Sequence, residues 1–197
     1  WGSVFGSGEI AVILTHMRGR DQTSWFPFAR FIAESGYKVL TFDFRGYGKS
    51  TGIKDTRMDR DLEAAIAYMR AKGAQQVVLI GASMGGTAVI ELASESQVQG
   101  VAALSPPAEF GRINALTAVE SMVIPLLLIV SENDYQYYSD ARKIESAAAA
   151  TQFLVVEGQQ HGTNMIAEHR NEIFANLLAF LDRWTDDRLL TTVQTES

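Results

Sequence analysis

Leu79-Ile80-Gly81-Ala82-Ser83-Met84-Gly85-Gly86 is the stretch that decides the fold. The apolar run at residues 77–80 is typical of a buried strand, and a helix-compatible segment follows at residues 87–95. Between them lies G-x-S-x-G, the spacing of a sharp strand-to-helix turn that projects its serine from the end of a sheet. The two glycines flanking Ser83 remove Cβ atoms that would clash in such a turn. Ser83 is therefore the candidate nucleophile; the alternative is a glycine-rich turn whose serine only caps the helix.

The composition is that of a globular chain with a modest negative charge. Of the 197 residues, 47% are apolar and 20% are charged, which suits one domain with a sizeable core. The 17 basic and 23 acidic residues give a net charge of −6 without a basic patch, so we expect neither nucleic acid nor an anionic membrane as partner. The longest apolar run, residues 123–130, contains Pro125 and is shorter than the ~20 residues of a membrane span.

Metal and cofactor motifs do not stand out. The chain has no cysteine, which excludes disulfides and thiolate nucleophiles, and its three histidines lack the spacing of metal ligands. Gly48-Lys49-Ser50 is similar to the end of a phosphate loop, but that motif requires glycine where Asp43 stands. We therefore expect no metal and no cofactor.

The compartment and the oligomeric state are not readable from this sequence. We expect a soluble protein and favour the cytoplasm, because no signal peptide is visible. The chain opens at Trp1, however, so anything that precedes this residue is not seen.

Strand-like and helix-like segments alternate along almost the whole chain. The strand candidates are short apolar runs, as expected for parallel strands buried on both faces, at residues 10–15, 38–44, 76–82, 100–104, 126–131 and 153–157. Helix candidates lie between them at residues 24–34, 55–72, 87–95, 139–149 and 165–184. This alternation predicts an α/β fold, with a doubly wound, mostly parallel sheet of about six strands and helices on both faces. Functional groups in such sheets gather at the carboxyl ends of the strands.

A serine nucleophile needs a base to take its proton, and three histidines compete for that role. His161 ranks first because it lies just past the last strand candidate, at a carboxyl end of the sheet. His16 also ends a strand and ranks second, although it comes before the serine in the chain. His169 lies within the last helix candidate and ranks third.

The base in turn needs an acid to orient it. Asp134 follows the strand at residues 126–131 and is the preferred acid, with Glu132 as the alternative carboxylate. Asp140 is expected in the first turn of the next helix, beside Ser139 as its cap. The order Ser83, Asp134, His161 is the one that accompanies a strand-to-helix serine turn.

The tetrahedral intermediate of acyl transfer would also need N–H donors for its negative oxygen. One candidate is the backbone N–H of Met84, the residue after the nucleophile. The second is expected from the loop after the first parallel strand, at residues 15–19.

These residues together resemble the α/β-hydrolase superfamily, over about residues 10–184. Residues 42–50 strengthen the resemblance, because Asp43-Phe44-Arg45-Gly46-Tyr47-Gly48-Lys49-Ser50 is similar to the D-x-R-G-x-G-x-S loop after the second parallel strand of many members. The resemblance implies that Ser83 is the nucleophile, Asp134 the orienting acid and His161 the base. It also implies that the backbone N–H groups of Met84 and Arg18 form the oxyanion hole.

The chain departs from the family pattern in three places. Met17 stands where many members have glycine after the histidine, so the N–H of Met17 is an alternative oxyanion donor. Only residues 1–8 precede the first parallel strand, so the family's antiparallel edge strands are expected to be reduced or absent. About twenty residues separate the strands at 100–104 and 126–131, enough for one short helix but not for a cap.

We therefore expect residues 1–197 to form a single α/β-hydrolase domain without a cap, with an open site. His16 and Trp25 are candidates for the substrate pocket. The expected activity is a serine esterase that hydrolyses short-chain carboxylic esters through an acyl-enzyme. Thioesterase, acyltransferase or perhydrolase activity on the same triad is the alternative, and a non-catalytic binding role ranks below both.

Overall fold

A computed structural model describes residues 1–94 and 96–185 of the chain. Its main sheet has seven strands in the order β1-β3-β2-β4-β5-β8-β9. The strands are β1 (Gly2–Phe5), β2 (Ile10–Thr15), β3 (Lys38–Phe42), β4 (Gln76–Ala82), β5 (Gly100–Leu104), β8 (Leu126–Ser131) and β9 (Thr151–Val156). All neighbouring strands pair in parallel except β1, which pairs antiparallel with β3. The α/β prediction is confirmed.

Helices cover both faces of this sheet because successive residues of each buried strand point to opposite faces. Ala11 and Ile13 of β2 pack on one side with α2 (Met58–Ala71), α3 (Met84–Ala93), α4 (Ala115–Ser121) and α5 (Tyr135–Ala147). Val12 and Leu14 pack on the other side with α1 (Phe26–Glu34) and α6 (Ile166–Thr185). Two separate apolar cores thus hold the sheet between them.

The sheet has one strand more than the predicted six. The additional strand is β1, within the short segment ahead of the first parallel strand, and it pairs with β3 from Gly2 opposite Phe42 to Phe5 opposite Val39. One antiparallel edge strand is therefore present, which agrees with reduced rather than absent edge strands.

The segment between β5 and β8 holds slightly more than the single short helix expected. A two-stranded hairpin, β6 (Glu109–Phe110) and β7 (Ile113–Asn114), comes before α4. The side chain of Asn114 caps α4 by accepting a hydrogen bond from the N–H of Thr117 at 3.0 Å.

Helix starts differ most from the sequence prediction. Helix α5 begins at Tyr135, four residues before the predicted start, so the expectation that Asp140 lies in the first turn is wrong. Helix α1 is preceded by a 3-10 turn at Gln22–Trp25. The predicted helix end at Glu95 and the polar tail after residue 185 lie outside the described residues.

Within the described parts of the chain, no helix combines the length and the apolar character needed to cross a membrane. Among these same residues, no group of three or more histidine, aspartate or glutamate side chains is arranged to hold a metal ion.

Candidate active site

Ser83 lies on a strained turn between β4 and α3. Its backbone has φ 51° and ψ −121°, a conformation that non-glycine residues seldom adopt. Two backbone hydrogen bonds hold the turn: the Ser83 N–H donates to the Leu104 carbonyl at 2.8 Å, and the Thr87 N–H donates to the Ser83 carbonyl at 3.0 Å. Such strain persists only where the surroundings enforce it, and it is typical of functional turns.

Glycine is required on both sides of this turn because other backbone passes very close. A Cβ atom on Gly81 would lie 2.3 Å from the Gly85 carbonyl oxygen. A Cβ atom on Gly85 would lie 2.6 Å from the carbonyl oxygen of His16, in the loop after β2. Gly81 therefore avoids a steric clash within the turn, and Gly85 lets the turn pack closely against the loop after β2.

Asp134 and His161 are joined by a hydrogen bond, although 27 residues separate them. Asp134 follows β8 and His161 follows β9, and the Nδ1 nitrogen of His161 lies 2.8 Å from the Asp134 carboxylate. Because a carboxylate can only accept, Nδ1 carries the proton and Nε2 is free to act as a base. Glu132, the alternative acid, instead accepts a hydrogen bond from the side chain of neighbouring Asn133 at 3.0 Å.

The ring of Tyr137 lies against the imidazole of His161. Their centroids are 4.0 Å apart and the two rings are inclined by 42°. Tyr137 sits in the first turn of α5, three residues after Asp134. The sequence analysis missed this contact, because it predicted that the helix begins later.

His16, the second-ranked base, is fully buried with both ring nitrogens occupied. Nδ1 donates to the Met17 carbonyl at 2.9 Å, and Nε2 accepts from the Phe44 N–H at 3.1 Å. Burial lowers the pKa of His16, so the ring stays neutral. We expected His16 to line the substrate pocket, and this was wrong. Its buried ring instead joins the loop after β2 to the loop after β3.

Trp25, the other pocket candidate, is also fully buried. Its indole N–H donates to the Thr15 carbonyl at 2.8 Å, and its ring packs near Phe28 of α1. It therefore belongs to the core and exposes no surface to a substrate. Tryptophan and histidine side chains occur both in substrate pockets and in cores, so residue type does not distinguish the two locations. The burial seen in the structure does.

His169 lies at an irregularity inside α6, where its backbone leaves the helical region. Its Nε2 donates to the Glu157 carbonyl at 2.9 Å. This bond gives His169 a local structural contact of its own.

The loop after β2 brings a second candidate N–H donor toward the serine turn. The Met17 carbonyl accepts from the His16 ring and from the Arg20 N–H at 3.2 Å. In a trans peptide the C=O and the following N–H point in opposite directions, so the Arg18 N–H points away from the buried ring. The N–H groups of Arg18 and Met17 both stay candidates to accompany the Met84 N–H.

Asp43 organises the loop that follows β3. One carboxylate oxygen accepts from the Gln22 N–H at 2.8 Å and the other from the Lys49 N–H at 2.9 Å. A Cβ on Gly48, which has φ +50°, would lie 2.2 Å from this carboxylate. The motif at residues 43–50 thus has a structural explanation, and its aspartate holds a loop rather than a ligand.

A groove of about 830 Å³ runs beside the loops that carry His16 and His161. Its walls include Arg20, Asp21, Lys54, Gln160 and Glu168, so its lining is polar and carries both signs of charge. Tyr47 also lines it, and burial together with a hydrogen bond to Asp55 raises the pKa of this phenol to about 12. The phenol therefore stays protonated at neutral pH.

Comparison with known proteins identifies the family. The family model described as the alpha/beta hydrolase fold matches residues 10–141, well over half of the chain. The chain belongs to the α/β-hydrolase fold family, as the motif around Ser83 implied.

Curated relatives match only a part of this chain. A 2-hydroxy-6-oxononadienedioate/2-hydroxy-6-oxononatrienedioate hydrolase from Klebsiella pneumoniae is 36% identical over 90 residues, which is 43% of this chain and 31% of the relative. The protein of the same name from Burkholderia vietnamiensis is 34% identical over 93 residues, or 45% of this chain and 32% of the relative. The chain thus spans about a third of the length of these relatives.

Solved structures match over nearly the whole chain. A monoacylglycerol lipase from Paleococcus ferrophilus has a TM-score of 0.80 at 18% identity, covering 92% of this chain and 97% of its own. An enol-lactonase from Burkholderia xenovorans has a TM-score of 0.80 at 14% identity, covering 92% and 95%. An esterase from Pyrococcus furiosus has a TM-score of 0.75 at 23% identity, covering 90% and 82%. At these identities the likeness establishes the fold alone.

Proposed function

We propose that this chain is a serine hydrolase in which Ser83 is the nucleophile, His161 the base and Asp134 the orienting acid. The observation that carries the proposal is the 2.8 Å hydrogen bond from His161 Nδ1 to Asp134. The residue after His161, Gly162, packs against the strained serine turn, since a Cβ atom on it would lie 3.5 Å from the Cβ of Ala82. The bond from His161 to Asp134 fixes the tautomer in which Nε2 can accept the serine proton. No cofactor or metal is needed, because the three side chains supply nucleophile, base and orientation.

In the proposed reaction, the Ser83 oxygen attacks the substrate carbonyl carbon while His161 Nε2 takes the hydroxyl proton. The tetrahedral intermediate collapses, the bond to the leaving group breaks, and His161 returns the proton to that group. Water then attacks the acyl-enzyme while the same nitrogen takes its proton. The bond from the acyl carbon to the Ser83 oxygen breaks, His161 returns the proton to that oxygen, and the acid is released. The N–H group of Met84, together with that of Arg18 or Met17, would stabilise the negative oxygen in both halves.

The substrates proposed are small carboxylic esters. The segment between β5 and β8 contains a short hairpin and the seven-residue helix α4, which supports a single domain without a cap. An uncapped site offers little apolar wall against which a long acyl chain could be buried. Thioesterase, acyltransferase and perhydrolase reactions remain alternatives, because all use the same acyl-enzyme.

A second candidate is hydrolysis of an oxo-acid of the kind named for the curated relatives. An exposed arginine in the loop that packs against the serine turn favours it, since this side chain would attract a carboxylate. Arg18 is two-thirds exposed and pairs with Asp55 at 3.3 Å, while Arg20 and Lys54 line the polar groove. The family's fold alone does not decide between the two chemistries.

A substrate panel separates these candidates. Short p-nitrophenyl esters, the matching thioesters and a 2-hydroxy-6-oxo dienedioate should be tested with the wild type and with Ser83→Ala. We expect ester turnover that Ser83→Ala abolishes. Turnover of the dienedioate alone would instead favour the second candidate, and no Ser83-dependent turnover of any of them would contradict the proposal.

A further inference from the structure

Two buried serine hydroxyls hold the peptide groups on either side of His161. The Ser131 hydroxyl donates to the Gln160 carbonyl at 2.7 Å. The Ser105 hydroxyl accepts from the Gly162 N–H at 3.2 Å. Both serines are fully buried, whereas the Gln160 acceptor lies at the edge of the buried region and is partly exposed.

The sheet fixes the positions of both serines. Ser131 is the last residue of β8 and lies opposite Val156 of β9 in the parallel register. Ser105 directly follows β5, and its own N–H donates to the Ile129 carbonyl of β8 at 2.8 Å. The two hydroxyls thus come from neighbouring strands, whose pairing sets the distance between them.

Ser105 has an unusual backbone for a non-glycine residue. Its φ of +47° lies in the left-handed region, where a side chain is strained. Residues held in this way cluster at functional sites, where the surroundings enforce a geometry that the chain would not choose. Ser131 begins the segment that ends at Asp134, but no role for the hydroxyl of Ser131 or of Ser105 was predicted from the sequence.

The same turn is pressed against the loop that carries the candidate oxyanion donors. Gly162 has φ +55°, and a Cβ there would lie 2.8 Å from the Met17 sulfur. The hydroxyl of Thr163 also lies 3.5 Å from that sulfur. The His161 turn is therefore in contact with the side chain of Met17.

We propose that Ser105 and Ser131 are positioning residues that hold His161 in the geometry required for proton transfer. This inference rests on the proposed function of His161 as the base. Asp134 sets the rotation of the imidazole ring, while the two serines set the place of the backbone that carries it. A misplacement of about 1 Å can cost about 100-fold in rate, so these contacts should act on catalysis rather than on substrate binding.

The test compares Ser131→Ala and Ser105→Gly with the wild type in kcat, KM and the rate at which a fluorophosphonate labels Ser83. Glycine is used at position 105 because it removes the hydroxyl without a new strain at φ +47°. Ser94→Ala is the matched control, since the Ser94 hydroxyl also donates to a carbonyl at 2.7 Å, that of Glu91, outside the site. We expect kcat and the labelling rate to fall about 10- to 100-fold in both variants, KM to change less than threefold, and the control to match the wild type.

Ser131→Thr tests whether the hydroxyl itself is responsible, because it keeps the donor. It should retain kcat within about threefold of the wild type. The proposal is overturned if both hydroxyl-deleted variants keep wild-type kcat, if KM rises in place of a fall in kcat, or if Ser131→Thr is as impaired as Ser131→Ala. Failure of the proposed function looks different, because the wild type itself would then not be labelled at Ser83.

Discussion

The ring of His16 joins two loops at the carboxyl edge of the sheet by accepting a hydrogen bond from the Phe44 N–H at 3.1 Å. The same ring donates to the Met17 carbonyl, so it is satisfied only in its neutral form. A protonated ring would turn Nε2 into a second donor facing the Phe44 N–H. Burial and this arrangement act in the same direction, since burial lowers the pKa of His16.

We predict that His16 makes native stability depend on pH. The native pKa lies below the ordinary value of 6.5, so the unfolded chain takes up the proton first as the pH falls. Stability from this group is complete above about pH 6.5 and declines below it, by at most about 1.4 kcal/mol per pH unit. Urea unfolding at pH 7.5 and 5.5 should show a smaller loss for His16→Gln than for the wild type. Equal losses would contradict the prediction.

His161→Ala should abolish catalysis, while His169→Ala should leave it nearly unchanged. Removing a member of a serine triad typically lowers kcat by about 10⁴- to 10⁶-fold. His169 is the matched control because it too has a hydrogen-bonded imidazole, 2.9 Å from the Glu157 carbonyl. Steady-state kinetics with a short ester checks both variants. A larger loss in His169→Ala than in His161→Ala would show that the base is misassigned.

Asp140→Ala should destabilise the fold. The buried carboxylate of Asp140 accepts from the Ala108 N–H at 3.2 Å and pairs with Lys143 at 3.0 Å. Alanine leaves a buried N–H without its acceptor, at a cost of about 1–3 kcal/mol. Asp140→Asn keeps an oxygen for Ala108 and loses only the pair with the exposed lysine, so it should cost less than about 1 kcal/mol. Chemical denaturation measures both; equal stability of the two variants would refute this account of Asp140.

Acyl-chain length should affect activity in a way that reports on the openness of the site. We expect kcat/KM to peak between about two and six acyl carbons, because each buried CH₂ contributes about 0.8 kcal/mol only where apolar wall is available. A series of soluble p-nitrophenyl esters from C2 to C16 measures this preference. A maximum at C10 or longer would indicate an apolar groove or lid and contradict the proposal of an uncapped site.

The strands were predictable because their signal is local. Strands β2, β4, β5 and β8 begin and end at the predicted residues, since each is a continuous apolar run between polar or turn residues. Helix α5 was not predicted to its true start, because Tyr135-Gln136-Tyr137-Tyr138 lacks an apolar face and Ser139 resembles a cap. Strand β1 was not predicted, because its four residues, Gly-Ser-Val-Phe, do not form a continuous apolar run.

The candidate site was predictable only where a motif or chain order marks it. Ser83 has its glycines, and Asp134 and His161 each follow a strand. His16 and Trp25 were expected in the pocket because of their side-chain type, but both are buried. Side-chain type alone does not predict burial. The hydroxyls of Ser105 and Ser131 form hydrogen bonds with backbone groups beside His161. No sequence motif or residue spacing marks such contacts, so they are seen only in the folded chain.

The most direct test of the central claim is covalent labelling of the wild type by a fluorophosphonate, followed by peptide mass spectrometry. A serine activated by His161 should acquire one adduct, located on Ser83, while enzyme activity is lost in parallel. Ser83→Ala should remain unlabelled and inactive, with an unchanged circular dichroism spectrum. An adduct on another residue, or a folded Ser83→Ala variant that keeps more than a few per cent of the activity, would contradict Ser83 as the nucleophile.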